Sequence, residues 1–580
     1  MDYLMILLLL ACFPLPWIWV AHEQPFKGAL DVDWIDGICT GFGIAFGILY
    51  LCSLRSLSSF HWVWLMSLVS AVAILIMSVR RRALRNVSWG SEARILVMLM
   101  AVYITIRSVP LTVAEYPRGW DPYFHLVLAD KILRVGGFIT DWRPFENIEL
   151  NYPIGSHLLL ALIAEIGKVP VHRVFTVATI VFTALTGAQV YALVTRAAKN
   201  PEIGLYASLS YLFLAVYGSL GYSLWGGLPN LIGMYLVLGL LSILHREDLP
   251  DHKIAVLVAV LFVAACVVHH HVMLTGGWIL LWQLFYFRWI RPDRTQARRL
   301  TLGLALSAVI GFPYFLHYLL KVPNFKETGI VGYIEELLTP AAIMNEFGPV
   351  FFFSMLFGVL IFSSRKNISV LSQSMLQAIL SLLVIYVLVQ YVFPVFSLAL
   401  LGKIVAPFTP SRFLTDCVVL LVIFSALFFF QLKIWTELRK NWIISLILAG
   451  FIFNWPMYRA TFYREISEAN MEAYEWIRNN TSADTIIIDP AGHAIHASYL
   501  TQRISSSLPI PTSEFHRKAT NKKMMYEIIQ GRIPPEAQHR RILFITDGLR
   551  SSFAESRVVW SHPSGLNLIE AQTNDGLQVD

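Results

Sequence analysis

Long apolar runs separated by short polar connections dominate the chain. They lie near residues 5–20, 36–54, 60–79 and 94–113, then near 171–194, 203–220, 228–244, 253–268, 272–288, 300–318, 348–364, 371–392, 413–432 and 442–457. A helix needs about 20 apolar residues to cross a bilayer, so the pattern predicts an all-α polytopic membrane protein with about 13–14 transmembrane helices. The segment 156–168 is shorter and carries Glu165 and Lys168, which predicts a partial or interfacial helix. Residues 115–155 form a long polar stretch rich in Asp, Glu, Trp, Tyr and Pro.

Near residue 460 the pattern changes. A helix-like stretch, Ile466 to Asn479, precedes two compact apolar clusters, Thr485–Asp489 and Arg541–Asp547. Both read as buried strands ending in Asp. Together they predict a small C-terminal α/β soluble domain over 460–580, with a strand order that the sequence does not supply.

Composition agrees with a bilayer. Of the 580 residues, 56% are hydrophobic and 14% charged, against roughly 25% charged in ordinary soluble domains. The net charge of +7 does not point to nucleic acid, because the basic residues gather in short clusters between apolar runs. One cluster is Arg80, Arg81, Arg82 and Arg85. Others are Arg196 with Lys199; His245, Arg246 and Lys253; Arg288, Arg291, Arg294, Arg298 and Arg299; Arg365 with Lys366; and Lys433, Arg439 and Lys440. All fall on one side if 156–168 does not cross, and basic connections mark the cytoplasmic side. Loop 115–155, turn 221–227, loops 319–347 and 393–412 and the C-terminal domain are then extracytoplasmic. Cys12, Cys39, Cys52, Cys266 and Cys417 lie in or beside apolar runs without a paired CxxC, so neither a zinc site nor a disulfide framework is expected. The run Leu4–Val20 lacks a basic leader and a small-residue cleavage site and carries Pro14 and Pro16, and it reads as a retained first span.

The loops on the extracytoplasmic side hold the chemistry-bearing residues. Asp121 precedes Pro122 at the start of an expected helix, which suits an N-cap. It equally suits a carboxylate facing a cavity, where it binds a cation or takes a proton from an acceptor. Loop 319–347 carries Glu335 and Glu336, read either as a solvated acidic face or as a second carboxylate site. Arg412 stands at the start of a span, either snorkelling to headgroups or holding a phosphate with its planar fork. His269, His270 and His271 are adjacent; successive helical side chains diverge by ~100°, so one metal cannot take all three. Trp225-Gly226-Gly227 marks a turn whose Trp either belongs to an interfacial belt or stacks on a sugar ring.

Asp121-Pro122-Tyr123-Phe124-His125, followed by Ala129, Leu133, Gly136-Gly137, Trp142 and Tyr152-Pro153-Ile154-Gly155, resembles the first external loop of the GT-C superfamily of membrane glycosyltransferases. The pattern is most similar to that of oligosaccharyltransferase catalytic subunits. The resemblance implies a GT-C-like core over 91–459, with the helices of 1–90 added before it. It implies transfer of a sugar or oligosaccharide from a polyprenyl-phosphate or -diphosphate donor to a glycan, lipid or protein acceptor. Asp121 takes the position of the first catalytic carboxylate, as base, metal ligand or both. Arg412, His125, Tyr152, Trp225, His270 and Glu336 fall to donor or acceptor binding. A divalent cation, Mg or Mn, would be held by Asp121 and Glu336. The Trp-Trp-Asp-Tyr-Gly element that such subunits use to recognise acceptor sequons is absent, which puts transfer to protein in doubt. A transporter or flippase of lipid-linked sugars is the alternative. It would need ionisable residues near span centres and an internal repeat; no repeat is found and charges within spans are few.

Overall fold

The computed structural model describes residues 2–15, 30–53, 90–114, 121–143, 152–222, 226–320, 347–364, 410–460, 466–489, 494–505, 540–546 and 556–571, with single residues and short pieces between them. The Arg80 cluster, Trp225, Glu335, Glu336, Arg365 and Lys366 lie outside them, as does the side chain of Arg412.

The membrane part is a bundle of helices: α1 (Asp2–Cys12), α2 (Leu30–Ser53), α3 (Ser91–Ser108), α4 (Asp121–Val135), α5 (Gly155–Gly167), α6 (Val171–Ala198), α7 (Pro201–Leu209), α8 (Leu228–Leu244), α9 (Asp251–Val268), α10 (His270–Phe285), α11 (Arg294–Leu320), α12 (Pro349–Ser364), α13 (Pro410–Thr436) and α14 (Lys440–Gly450). Among the described residues, five helical segments are long and apolar enough to cross a membrane: Val32–Cys52, Ser91–Thr112, Val171–Ala198, Asp251–Val268 and Thr415–Thr436. Helix α2 packs against α6, α8 and α9, so the N-terminal helices are part of the bundle. Close approach sets another contact: a Cβ on Gly358 of α12 would meet the Phe424 carbonyl of α13 at 1.8 Å.

Local sequence explains the corners. Lys199 closes α6 in the left-handed conformation at φ 50. Asn200 then caps α7, accepting a hydrogen bond from the Glu202 amide at 2.9 Å, with Pro201 as first residue. Lys168 ends α5 in the same left-handed way before Pro170 starts α6. Helix α5 has 13 residues and is buried along most of its length. It is short for a span.

Helix α7 runs on into a π-helical stretch, Ser210–Leu214, and then breaks at Ala215 (ψ 90). The freed carbonyls do not go unmet. Asn454 Nδ2 donates to Phe213 O at 3.0 Å and to Leu214 O at 2.9 Å, and the Tyr458 hydroxyl donates to Leu212 O at 3.4 Å. A broken helix inside an apolar bundle requires this kind of compensation. The break turns Val216–Gly221 into a separate short helical piece that leads to Tyr222.

Charges collect at one end of the bundle. Asp36 near the start of α2 is fully buried and accepts from Gln189 Nε2 at 2.7 Å, Arg196 Nη2 at 2.9 Å and Ser242 Oγ at 3.1 Å. Arg246 pairs with Asp248, Lys433 with Glu202 at 2.7 Å, and Lys440 with Glu92 at 2.6 Å. Arg299 holds Asp251 at 2.8 Å and donates to the carbonyls of Leu244, the last residue of α8, and of Arg246 just after it, where a cation complements the helix dipole. Arg196, Arg246, Arg299, Lys433 and Lys440 thus gather at the same end, as their connections predict. The residues of the 115–155 loop lie at the other end, beyond the first turn of α6.

The C-terminal part contains helix α15 (Glu468–Asn480), capped by Ser467, and a five-stranded sheet. Its strands are β1 (Ile486–Ile488), β2 (Ile504–Ser505), β3 (Ile542–Thr546), β4 (Ser556–Ser561) and β5 (Asn567–Ala571), with helix α16 (Ala494–Thr501) between β1 and β2. The order across the sheet is β2-β1-β3-β5-β4. The first three are parallel and the last two antiparallel. Ile486, Ile487, Ile488, Ile542, Leu543, Phe544 and Ile545 are all buried, the unbroken apolar run expected of strands covered on both faces. Both expected strands are present, in a small α/β domain.

Candidate functional site

Helix α4 begins at Asp121, which is half-buried, and eight residues from Pro122 to Ala129 are buried in succession. A helix buried on all sides has neighbours on all sides: α5, α6 and α16 pack on it. The turn before α8 closes on its first residues. Gly226 has φ +82, and a Cβ there would lie 2.5 Å from Pro122 N and 2.4 Å from Pro122 Cδ. Only glycine serves this position, because it needs both the left-handed backbone and the missing Cβ. The expected Gly-Gly turn therefore lies directly against the residue following Asp121.

A ring cluster ties the loop to the bundle. His125 Nδ1 lies 3.0 Å from His157 Nε2, so one proton bridges the two imidazoles. Tyr152 sits among Phe124, His125, His157, His269 and His270, with ring centroids 5.1–6.0 Å away. Trp142 covers Phe124 at 5.3 Å. The Tyr152 hydroxyl meets His269 Nε2 at 2.9 Å. His269 is extended (φ −158, ψ 132) and its Nδ1 accepts from the His271 amide at 3.3 Å, capping α10. That bond assigns the neutral ring proton to Nε2, so His269 donates to Tyr152.

The three adjacent histidines do point to different places. His269 goes to Tyr152, and His270 is half-buried and stacks on His269 at 4.6 Å. His271 is buried, its Nδ1 3.2 Å from Asp416 Oδ2. Asp416 also accepts from Thr275 Oγ1 at 3.1 Å and from the Tyr222 hydroxyl at 3.3 Å. Arg412 lies four residues earlier in α13, one helical turn nearer its start.

The C-terminal domain lies over α4. The His496 ring of α16 stands edge-on to Tyr123 at 4.0 Å, and the Tyr499 hydroxyl lies 3.4 Å from His172 Nδ1 at the start of α6. Tyr116 packs on the other side of that junction, 4.3 Å from His172. On the same face of α4, Asp130 bonds Arg134 at 2.8 Å. Burial, opposed by Arg134 and by Arg478 of α15, pushes the Asp130 carboxyl up. Further along the loop, Lys131 and Arg143 hold Asp141 at 2.9 and 2.5 Å. Burial alone would raise Asp141, but the hydrogen bonds from Arg143 and Lys131 outweigh it and bring its pKa down to about 2.

Asp121, His125, Tyr152 and His270 are therefore held in one region by α4, α5 and the head of α10, whereas Trp225 and Glu336 lie outside the described residues. Among the described residues no three His, Cys, Asp or Glu side chains are grouped to hold an ion. Sequence reasoning singled out neither His157, Tyr222 nor His496. His157 carried a weak signal as a polar residue in an apolar segment; Tyr222 and His496 carried none, since their partners are far away in the chain.

No protein-family model matches the chain, and no curated protein matches it. Solved structures do. ArnT from Cupriavidus metallidurans in the apo state is similar with a TM-score of 0.53 at 12% identity, covering 83% of this chain and 98% of that one. Its complex with undecaprenyl phosphate is similar at TM-score 0.52 and 11% identity, over 82% of this chain and 98% of that one. The Archaeoglobus fulgidus oligosaccharyltransferase tethered with an acceptor peptide containing the NVT sequon is similar at TM-score 0.50 and 11% identity, over 78% of this chain and 69% of that one. At such identities the likeness shows the fold alone: this chain shares the helical membrane architecture of these structures and carries a small C-terminal sheet domain.

Proposed function

We propose that the protein is an inverting membrane glycosyltransferase that uses a sugar or oligosaccharide linked to a polyprenyl phosphate or diphosphate. The observation that carries this reading is the setting of Asp121. It opens a helix buried beneath the C-terminal domain, at the end of a GT-C bundle where the His–Tyr ring cluster and the head of α13 meet. The solved structure of ArnT with undecaprenyl phosphate supports a lipid-linked donor for this fold.

In the reaction, an acceptor hydroxyl or amide attacks the anomeric carbon of the donor. Asp121 takes the acceptor's proton as the new bond forms, and the bond from that carbon to the lipid phosphate breaks, the phosphate leaving with the electron pair. Arg412 balances the charge gathering on the phosphate. His125, Tyr152 and His270 supply hydrogen bonds and ring faces to the sugar or phosphate, and Trp225 stacks on a sugar ring. A divalent cation is optional; if bound, it would be held by Asp121 with Glu336 and would screen the phosphate. Residues 91–459 act as the catalytic membrane core, 1–90 as helices added to it, and 460–580 as an extracytoplasmic domain that caps the site and selects the acceptor. The basic end of the bundle faces the cytoplasm.

The test is label transfer. Purified protein receives a panel of radiolabelled polyprenyl-phosphate and -diphosphate sugars with membrane extract as acceptor, with and without Mg or Mn. Transfer by wild type and its loss in folded Asp121→Ala support the reading, and cation dependence separates metal ligand from base. Equal transfer by both proteins removes Asp121 from the site. Donor movement across vesicles without transfer replaces the reading with a flippase.

A further inference from the structure

Asp416 is a carboxylate that this chemistry does not use. It is fully buried in the second turn of α13, and its contacts come from two separate pieces of chain: Tyr222 beyond the broken α7, and His271 and Thr275 on α10. Burying a carboxylate is costly unless donors meet its oxygens. Here two hydroxyls donate to them and the His271 imidazole lies 3.2 Å away, whereas the buried Asp36 at the opposite end is met by a guanidinium.

The first turn of α10 is held from two sides. Tyr152 grips His269 from the loop that Asp121 opens, and Asp416 grips His271 from α13. Only His270 separates those grips, and the cap from His271 N to His269 Nδ1 locks them to one another. Positions 412 and 416 are one turn apart on one face of α13. Any shift at Asp416 therefore moves the backbone that carries Arg412 relative to the loop that carries Asp121.

We infer that Asp416 and His271 form a positioning pair for the donor-phosphate subsite, setting Arg412 at its working distance from Asp121. This inference rests on the transferase reading for its role in turnover, but not for its effect on lipid-phosphate binding. Asp416 does not touch the donor; it acts through the head of α10 and the first turn of α13.

The experiment measures binding of undecaprenyl phosphate, without sugar, to the full chain in lipid nanodiscs, alongside KM and kcat for the active donor. Asp416→Asn keeps the shape and removes the charge; His271→Gln removes the ring; Thr275→Val removes one donor and Thr275→Ser restores it. Each of the first two weakens undecaprenyl phosphate binding and raises KM by about tenfold, the loss of one hydrogen bond to a charged group. The change in kcat at saturating donor is smaller. The double variant is no worse than either single, because the two residues act as one unit. Thr275→Val weakens binding and Thr275→Ser does not; this arm decides the matter if Asp416→Asn fails to fold. Wild-type affinity in the folded single variants, or single effects that multiply in the double, overturns the pair. A lowered melting temperature with unchanged affinity also overturns it, leaving only a structural tie. A wild type that binds undecaprenyl phosphate but transfers nothing sinks the transferase reading alone.

Discussion

The two ends of the bundle solve the same problem, polar groups among apolar helices, in different ways. At the basic end, acid meets base across helices: Asp36 with Arg196, Asp251 with Arg299, Glu202 with Lys433 and Glu92 with Lys440. At the loop end, Asp141 pairs with Lys131 and Arg143, and Asp130 with Arg134, but around the head of α10 imidazoles, phenols and a carboxylate meet instead, in the hydrogen bonds His125–His157 and Tyr152–His269 and the close approach of His271 to Asp416. Full charge pairs fix helices against each other and leave little reactive capacity. Rings held by hydrogen bonds still have protons to exchange and faces to offer. The first arrangement suits a staple and the second a site.

The sharpest way to break that contrast is to swap outcomes. Asp121→Ala is expected to lower turnover by about 10²–10⁴-fold, the usual worth of a positioned acid–base group, with no change in melting temperature. Comparable residual turnover would leave the loop end without its proposed base. Arg196→Ala is expected to do the reverse. It strips a buried carboxylate of its cation and should cost about 3–5 kcal/mol of stability, read as a lower unfolding temperature in detergent. Turnover per folded molecule should stay near wild type. If Arg196→Ala instead abolished turnover in folded protein, the division of labour between the ends would fail.

A smaller effect is expected at Gly226. A methyl there must displace Pro122 and occupy an unfavourable φ, so Gly226→Ala should cost about 1–3 kcal/mol and lower turnover by moving Asp121. Gly47→Ala, where an added Cβ meets nothing within 4 Å, is the control and should leave both unchanged.

The smallest effect concerns acid. Asp141 has a pKa of about 2 in the folded chain against an ordinary 3.8. Its contribution to stability is thus complete above that ordinary value and is lost as pH falls toward 2. Asp130 is raised, so its contribution has the opposite sign, present at low pH and lost as pH rises through its folded value. Limited proteolysis of the loop between pH 2 and 5 should show acid loosening in wild type. Lys131→Met should bring the loosening on at higher pH, and Asp130→Asn should protect the loop near neutrality. An unchanged acid profile in Lys131→Met would show that the Lys131–Asp141 pair does not hold the loop.

Much of this layout was legible from single residues. Asp121-Pro122 marked the start of α4, the lone basic connections marked one end of the bundle, and the runs 485–489 and 541–547 marked two strands. The parts that were not legible depend on partners distant in sequence. Nothing local at Tyr222 announces Asp416, 194 positions away, and nothing at Tyr152 announces His269, 117 positions away. The break at Ala215 was hidden too, because an apolar run reads as one helix, and only Asn454 and Tyr458 make the interruption tolerable.

The sequence by itself determined that the chain is a polytopic helical membrane protein, roughly where most of its described helices lie, and which basic connections gather at one end. Apolar period, caps and charge act over a few residues and require no partner. The tertiary structure decided what each buried carboxylate meets. Asp36 and Asp416 are both aspartates set in apolar helices, and sequence gives no reason to separate them. One met a guanidinium on packing and the other met two hydroxyls and an imidazole. The identity of those partners depends on how the helices pack, and it sets what each carboxylate does.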